Sequence, residues 1–221
     1  MAAITPAPSG TSGAPPAASP AEARVPGPPT GLRERKKLKT RIAIRRAAFR
    51  LIAAQGYEAT TVEQIAESAD VSPSTVFRYF PAKEDIVLSD ESAPVLDAGL
   101  RARPLGEDPL DSLRRVITAS LAHALAEDRD AVVQRTRLMV EVPAIRARMT
   151  ETMALTSDLV ARALADRTGR APDDLDVRVF TAAVLGTLRE VMLHWADRGH
   201  REDLVELADR ALGTLRDGVR L

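Results

Sequence analysis

The chain has 221 residues, of which 45% are hydrophobic, and this is enough to build a sizeable core in one or two domains. It contains no cysteine, so disulfides, thiolate metal sites and cysteine nucleophiles are excluded. No apolar run approaches the roughly 18 residues of a membrane span, and the N-terminus lacks a signal-peptide pattern. We therefore expect a cytoplasmic protein without membrane contact.

The formal net charge is zero, but the charges are unevenly distributed along the chain. Between Leu32 and Arg46 there are eight basic residues and one acid, Glu34, whereas acidic residues are frequent in later segments. This asymmetry indicates a DNA-facing N-terminal end and a neutral or acidic body.

The first thirty residues have a composition of their own. Residues 1–30 contain eight of the fifteen prolines and very few large apolar side chains. Such a segment cannot bury enough apolar surface to offset the entropy cost of ordering, so we expect a disordered tail.

Helical periodicity begins after this tail. A first helix is predicted from Arg35 to Gln55, and Gly56 suits a left-handed C-cap at its end. One threonine of the pair Thr60-Thr61 can then act as the N-cap of a short second helix.

Serine followed by proline at Ser72-Pro73 predicts the start of a third helix, which Pro81 ends. Val76 and Phe80 fall on its inward side, and Phe77 and Tyr79 on its flanks. Its outward side carries small or polar residues, namely Ser74, Thr75 and Arg78. A fourth helix is predicted from 83 to 88.

Beyond Pro94 the pattern predicts long helices and no strands. Their expected ranges are 109–127, 130–141, 143–168, 172–198 and 201–218. The fold class is therefore predicted to be all-α.

Two short helices joined by a tight turn, the second with a small polar outward face, are typical of a helix-turn-helix. The string Gly56-Tyr57-x-x-Thr60-Thr61-Val62-x-x-Ile65-Ala66, followed by Val71-Ser72-x-x-Thr75-Val76-Phe77-Arg78-Tyr79-Phe80-x-x-Lys83, resembles the DNA-binding signature of the TetR family of repressors. The resemblance covers about residues 35 to 88. It implies a three-helix DNA-binding domain at 31–88 and a helical ligand-binding and dimerisation domain at 89–221.

The resemblance also implies roles for single residues. Pro73, Ser74 and Thr75 would meet base edges, while Thr61, Tyr79 and Lys83 would contact phosphates. The basic segment from Arg33 to Arg41 either enters the minor groove or forms solvated surface. The full set of predicted DNA-binding residues is Arg35, Lys36, Lys37, Lys39, Thr61, Ser72, Pro73, Ser74, Thr75, Phe77, Arg78, Tyr79 and Lys83.

Two positions depart from the family pattern. Asp70 stands where the family commonly has a glycine, at a position expected to need positive φ, which aspartate tolerates better than most residues. Phe77 stands where many members have a tyrosine that touches phosphate. That contact is lost here, and we expect Phe77 to pack against sugar or against the surface of the first helix.

The last two predicted helices have wide apolar stripes that require a partner. The resemblance implies a four-helix bundle between two copies, whereas an intramolecular core is the alternative. The predicted residues of the homodimer interface are Val184, Leu188, Val191, Leu204 and Leu215.

A pocket for a small apolar or amphipathic effector is predicted in the body, because methionine suits adaptable apolar cavities and a line of side chains follows one helix edge. Ordinary core filling is the alternative for these methionines, and an ion pair with Glu141 is the alternative for Arg137. The candidate pocket residues are Arg137, Met149, Met153, Phe180, Thr187 and His194.

These patterns together predict a homodimeric repressor that binds a pseudo-palindromic double-stranded DNA operator through the helix 73–80 and is released by the effector. The alternative is a DNA-bound adaptor that contacts a protein partner and senses no ligand. An enzyme is not expected, because the histidines at 123, 194 and 200 lack metal-ligand spacing and no phosphate loop or nucleophile elbow occurs. We expect neither a metal nor a cofactor.

Overall fold

The computed structural model describes residues 31–89 and 92–218. Within these ranges the chain forms nine α-helices and no strand, which confirms the predicted all-α fold class. The tail predicted at 1–30 lies outside the described residues. The helices are α1 (Leu32–Gln55), α2 (Val62–Ser68), α3 (Pro73–Tyr79), α4 (Lys83–Leu88), α5 (Ser92–Arg101), α6 (Pro109–Glu141), α7 (Pro143–Thr168), α8 (Leu175–Asp197) and α9 (Leu204–Arg216).

Capping side chains set the beginnings of the last two helices. The Asp174 carboxylate accepts a hydrogen bond from the Asp176 N–H at 2.9 Å, so α8 begins at Leu175 and not at 172 as predicted. Asp203 caps α9 in the same manner, and this helix begins at Leu204 and not at 201.

Helix α6 is interrupted where the sequence predicts two separate helices. Asp128 has non-helical angles, φ −158° and ψ 83°, between the predicted segments 109–127 and 130–141. Its carboxylate accepts from the Ala131 N–H at 3.0 Å and so caps the second half of the helix. The break is confirmed, and it allows the two halves of α6 to pack against different cores.

Helix α5 was not predicted. The predicted ranges beyond Pro94 start at 109, whereas Pro94 is the third residue of α5, in the first turn where proline is tolerated because the N–H there has no intrahelical acceptor. Leu96 and Leu100 of this helix are buried.

Three groups of buried side chains hold the helices together. The reader core lies among α1 to α4 and contains Ile44, Ile65, Val76, Phe80 and Ile86 with three alanines. The junction core joins α1 and α4 to α6 and α7, and includes Phe49, Tyr57, Val87, Leu138, Ile145 and Met149. The body core lies among α5 to α9 around Trp195, Leu113, Leu164 and Leu212.

Candidate nucleic-acid interface

The turn between α1 and α2 is closed by backbone and side-chain caps. Gly56 has φ 86°, and its N–H donates to the Ile52 carbonyl at 2.9 Å, which ends α1. Thr61 Oγ1 accepts from the Gln64 N–H at 3.2 Å, and Gln64 Oε1 accepts from the Thr61 N–H at 3.0 Å. The backbone amide of Thr61, which the resemblance implied on a phosphate, is thus used inside the chain by this capping box.

The turn between α2 and α3 contains the left-handed residue that the sequence indicated. Asp70 has φ 54°, so the prediction of positive φ at this position is confirmed. The next N–H, that of Val71, donates back to the Ala66 carbonyl at 3.0 Å, which reverses the chain direction tightly.

Ser72 organises the beginning of α3. Its Oγ accepts from the Thr75 N–H at 3.2 Å and lies 2.9 Å from the hydroxyl oxygens of both Ser74 and Thr75. Pro73 occupies the first helical position, where its missing N–H leaves no donor unsatisfied. The three hydroxyl groups therefore form one polar cluster at the exposed N-terminal end of α3.

The predicted inward and outward sides of α3 are confirmed by burial. Val76 and Phe80 are fully buried in the reader core. Tyr79 is half-buried, with the Arg78 guanidinium 5.4 Å from its ring centre. The recognition surface, as we name the outward side of α3, consists of Ser72, Pro73, Ser74, Thr75, Phe77 and Arg78.

Phe77 is the apolar member of the recognition surface. Its relative exposure is 49%, which is high for an aromatic residue in a helix. The half of the ring that remains in solvent is available for contact with sugar or with a thymine methyl group.

The basic segment at the N-terminus is helical. Helix α1 begins at Leu32, so the segment from Arg33 to Arg41 lies within its first turns. A helix with its side chains is about 10–12 Å wide, whereas the minor groove is only about 6 Å wide. A helical segment of this width does not fit the minor groove, which argues against that hypothesis and favours the alternative of an exposed basic helix surface. The exposed basic residues of this segment are Arg33, Arg35, Lys36, Lys37 and Lys39.

Lys83, at the start of α4, has its ammonium group inside the chain. Nζ donates to the carbonyl oxygens of Tyr57 and Thr60, each at 3.0 Å, and lies 4.0 Å from the centre of the Tyr57 ring. The phosphate contact implied for this residue would have to use the one remaining N–H donor.

Glu84, the residue after Lys83, binds the phenol end of Tyr57. The Tyr57 hydroxyl donates to the Glu84 carboxylate at 2.6 Å. Burial of the ring, together with this hydrogen bond to a carboxylate, raises the pKa of the Tyr57 phenol far above its ordinary value. Tyr57 is therefore fixed at its carbonyl by Lys83 and at its phenol by Glu84.

The third residue of α4 connects the reader to the body. Asp85 accepts two hydrogen bonds from Arg148 of α7, to Oδ1 at 2.8 Å and to Oδ2 at 3.0 Å. Its Oδ2 also accepts from the Ala82 N–H at 3.0 Å. A second connection joins α6 to α1, because the Gln134 amide donates to the Phe49 carbonyl at 2.9 Å.

Sequence patterns did not identify Tyr57, Glu84, Asp85, Arg148 or Gln134 as parts of this arrangement. The run Lys83-Glu84-Asp85 was the available signal, since three charged residues in a first helical turn indicate specific contacts. The partners of these three charged residues on other elements lie 23 to 63 positions away in sequence, and local periodicity does not indicate them.

The predicted dimer residues divide into two groups. Val184, Val191 and Leu204 are buried in the body core of the single chain, where a second copy cannot reach them. This corrects their assignment and matches the intramolecular alternative. Leu188 and Leu215 are half-buried at the edge of that core, so part of each side chain is open to a partner.

The six predicted pocket residues do not lie at one place. Met149 is buried in the junction core, and Arg137 is exposed and paired with Glu141 at 3.2 Å. His194 is exposed and lies 3.3 Å from the Glu202 carboxylate. Met153, Phe180 and Thr187 are half-buried.

Two clefts lie along α7 and α8. The larger, about 450 Å³, has charged walls and is lined by Ala154, Ser157, Asp158, Ala161, Arg162, Pro172, Asp173 and Arg178. The smaller, about 160 Å³, is mainly apolar and includes Phe180 with Leu164 and Val177. Phe180 is the one predicted pocket residue that lines either of these clefts.

In the two described ranges, no helix combines the length and the apolar character needed to cross a bilayer. The same residues contain no group of three or more histidine and carboxylate side chains arranged to hold a metal ion.

Comparison with known proteins assigns both halves of the chain. The sequence profile of the bacterial regulatory proteins of the tetR family matches residues 44–89, and the profile of the MftR C-terminal domain matches residues 107–220. The transcriptional regulator TcmR of Streptomyces glaucescens is 35% identical over 196 residues, which cover 84% of this chain and 87% of that protein.

Solved structures show the same fold. The repressor FadR of Thermus thermophilus, in complex with lauroyl-CoA, has a TM-score of 0.52 and 28% identity over 82% of this chain and 95% of its own. The fatty acid degradation regulator FadR of Bacillus halodurans has a TM-score of 0.55 and 25% identity, covering 82% of this chain and 96% of its own. The two matching profiles, the TcmR similarity and the helix-turn-helix geometry show that the chain belongs to the TetR family of bacterial transcriptional regulators.

Proposed function

We propose that this regulator is a homodimeric repressor that reads a pseudo-palindromic operator with α3 and is released by a small amphipathic effector. The observation that carries this proposal is the recognition surface itself. Small and polar side chains at the N-terminal end of α3 let the backbone approach the major groove closely, while Val76 and Phe80 anchor the helix from behind.

Within this proposal, Ser74, Thr75 and Arg78 contact base edges through hydroxyl and guanidinium groups. Thr61 and Tyr79 contact phosphates, and the exposed basic residues of α1 follow the backbone of the duplex. Phosphate contacts position the protein, and base contacts give it sequence preference.

Two copies are needed because a pseudo-palindrome presents two half-sites about 34–36 Å apart. The solvent-facing side of α8 and α9 suits this contact. Val179 is 58% exposed on α8, and a side chain at position 186 or 213, where glycines stand, would point into open space beside the helix.

We infer an effector with an apolar chain and a polar head. Support comes from the lauroyl-CoA that the FadR of Thermus thermophilus binds, and from the apolar cleft at Phe180, whose border carries the ion pair of Arg170 and Asp176. In this proposal the apolar chain enters between α7 and α8 at Phe180. Further candidate contacts along these two helices are Met149, Met153 and Thr187. The more exposed Arg137 and His194 are also candidates.

The test begins with a duplex of about 30 bp that the wild-type protein selects from a random-sequence library, a length that holds two half-sites one helical turn apart. Release from this duplex is then measured with lauroyl-CoA, with free coenzyme A and with lauric acid. Release by lauroyl-CoA alone is the expected result, and Phe180→Trp, which fills the cleft, should weaken release without changing affinity for the duplex.

Two results would contradict the proposal in different ways. If no duplex is enriched, the protein does not read DNA as proposed. If a duplex is enriched but no amphipathic compound releases it, the ligand-sensing part fails and the adaptor role becomes the better account.

A further inference from the structure

The first turn of α4 holds the loop that precedes α2. Lys83 binds two carbonyl oxygens of this loop, those of Tyr57 and Thr60, and Glu84 binds the Tyr57 phenol. The Thr60 carbonyl belongs to the peptide that leads directly into Thr61, the N-cap of α2. Lys83 thus acts on the backbone at the point where α2 begins.

We propose that Lys83 is a positioning residue, which sets the DNA-facing end of α2, and that it is not a phosphate ligand. The inference rests on the proposed DNA-binding function and reassigns one residue within it. The reason is the direction of the ammonium group. Two of its three donors point at internal carbonyls and the cation faces the Tyr57 ring at 4.0 Å, so the group is enclosed on several sides by its own chain.

The Thr60 carbonyl needs such a partner. The hydrogen-bond ladder of α2 starts one residue later, with the Ile65 N–H donating to the Thr61 carbonyl at 3.1 Å. The Thr60 carbonyl lies outside that ladder, and the Thr60 side chain is directed elsewhere, donating to the Gly56 carbonyl at 2.8 Å. A charged donor at 3.0 Å fixes the orientation of this peptide more strongly than a neutral one would.

Tyr57 makes the arrangement rigid. Its ring is buried in the junction core and its hydroxyl is bound to Glu84, so the surface that faces the ammonium group cannot rotate freely. Lys83 therefore joins a fixed ring to a loop peptide. Loss of the lysine would remove the hydrogen bonds to the Tyr57 and Thr60 carbonyls and so loosen the loop, while leaving the ring in place.

Arginine at this position separates positioning from phosphate binding. A phosphate ligand tolerates Lys→Arg well, because guanidinium binds phosphate at least as effectively as ammonium. The positioning role does not tolerate it. A guanidinium is planar and stands on a differently shaped side chain, so binding both carbonyls while facing the Tyr57 ring would require the loop to shift.

The experiment uses the full-length protein and the duplex selected by the wild type. Affinity is measured across a series of salt concentrations for wild type, Lys83→Arg and Lys83→Met. We expect both variants to lose affinity about tenfold at every salt concentration, as loss of a charge-assisted hydrogen bond would produce. The slope of log affinity against log salt should remain that of the wild type.

A second readout requires no DNA. Amide hydrogen exchange in residues 56–61 of the free protein should be faster in both variants than in wild type, because the loop has lost the two hydrogen bonds that Lys83 donates. A phosphate ligand would leave exchange in the free protein unchanged. This measurement tests the inference even if the wild type selects no duplex, which would be a failure of the proposed function.

Wild-type affinity in Lys83→Arg, combined with a slope reduced by about 0.9 in Lys83→Met, would identify a phosphate contact and overturn the inference. If circular dichroism shows that Lys83→Met does not fold, Tyr57→Phe serves in its place. Tyr57 is buried and cannot reach DNA, so reduced affinity with an unchanged slope supports positioning. Unchanged affinity and exchange in Tyr57→Phe and Lys83→Arg together would contradict it.

Discussion

At the scale of single residues, Asp70 shows how a departure from a family pattern is accommodated. Its φ of 54° lies in the left-handed region, where a short polar side chain is tolerated but a β-branched one is strained. The tight turn between α2 and α3 therefore survives without the glycine that the family commonly places there.

The first prediction concerns this position. Asp70→Val should reduce the free energy of unfolding by about 1–2 kcal/mol, because the branched Cβ opposes the left-handed conformation. Asp70→Gly is the control and should change stability by less than about 0.5 kcal/mol, since strain relief offsets the greater freedom of the unfolded chain. Urea unfolding measures both values, and equal stabilities of the two variants would show that the backbone conformation is not the cause.

A second residue-scale prediction concerns Glu107, in the turn between α5 and α6. Hydrogen bonds from Arg103 and, more weakly, from Ser112, together with the nearby Arg115, lower the pKa of Glu107 from 4.5 to about 2. The pKa is lower in the folded state than in the unfolded state, so this carboxylate contributes stability above about pH 4.5, and the contribution is lost as pH falls towards 2.

The variant Glu107→Gln tests the direction of this pH dependence of stability. The urea midpoint of the wild type should fall between pH 5 and pH 2 more steeply than that of Glu107→Gln, which cannot titrate. Near neutral pH, the variant should be less stable than the wild type, because the ion pair between Arg103 and Glu107 is lost. Parallel pH profiles of the two proteins would remove Glu107 from the acid response.

At the scale of helices, periodicity and caps located most elements because they are local signals. The break in α6 and the beginning of α3 at Ser72-Pro73 both follow from side chains that cap a neighbouring backbone N–H. Helix α5 was not predicted because proline interrupts most helices. The sequence does not show that Pro94 stands in a first turn, where proline is tolerated. Helix α1 was predicted to begin at Arg35, three residues after its actual start at Leu32, because the first residues of the helix carry no apolar stripe.

What the sequence could not provide is the packing between helices distant in the chain. Val184 and Leu204 each belong to an apolar stripe on their own helix. Such a stripe predicts that the residue is buried, but not whether it packs against its own chain or against a second copy. The same limit applies to the predicted pocket residues, since their spacing along α6, α7 and α8 does not determine whether a cleft lies beside them.

The third prediction concerns the contact between α4 and α7. Asp85 and Arg148 are joined by two hydrogen bonds, so a double-mutant cycle with Asp85→Ala and Arg148→Met should give a favourable coupling free energy that exceeds the experimental error. Arg162→Met is the matched control, because Arg162 is exposed on the same helix and makes no ion pair with any described residue. It should leave stability within about 0.5 kcal/mol of wild type. A coupling near zero would mean that α4 and α7 are held by the junction core alone.

At the scale of the whole molecule, the chain consists of a reader and a body that meet at the junction core. The reader depends on short helices whose ends are capped, and the body on long helices whose sides are packed. This difference makes the reader sensitive to single side chains and the body sensitive to the fit between helices.

The fourth prediction concerns assembly. Val179→Asp places a charge on the proposed dimer surface of α8, and burial of that charge without a partner should weaken dimerisation by about 3 kcal/mol or more. Leu105→Asp is the control, since Leu105 is also an exposed apolar residue but lies in the turn between α5 and α6. Sedimentation velocity should show a dimer for wild type and Leu105→Asp and a monomer for Val179→Asp. A monomeric wild type would contradict the proposed assembly.

The corner between α8 and α9 also gives the protein an optical property. Trp195 is the only tryptophan of the chain, it is buried, and its indole N–H donates to the Glu202 carbonyl at 2.8 Å. The His200 ring stands edge-on to it at 4.4 Å, and the Thr136 hydroxyl of α6 holds that imidazole at 2.9 Å. All tryptophan fluorescence of the folded protein therefore originates where the α8–α9 turn meets α6. A blue-shifted emission that iodide quenches poorly would report an intact corner, and any change in this signal on adding DNA or effector would reveal movement there without a label.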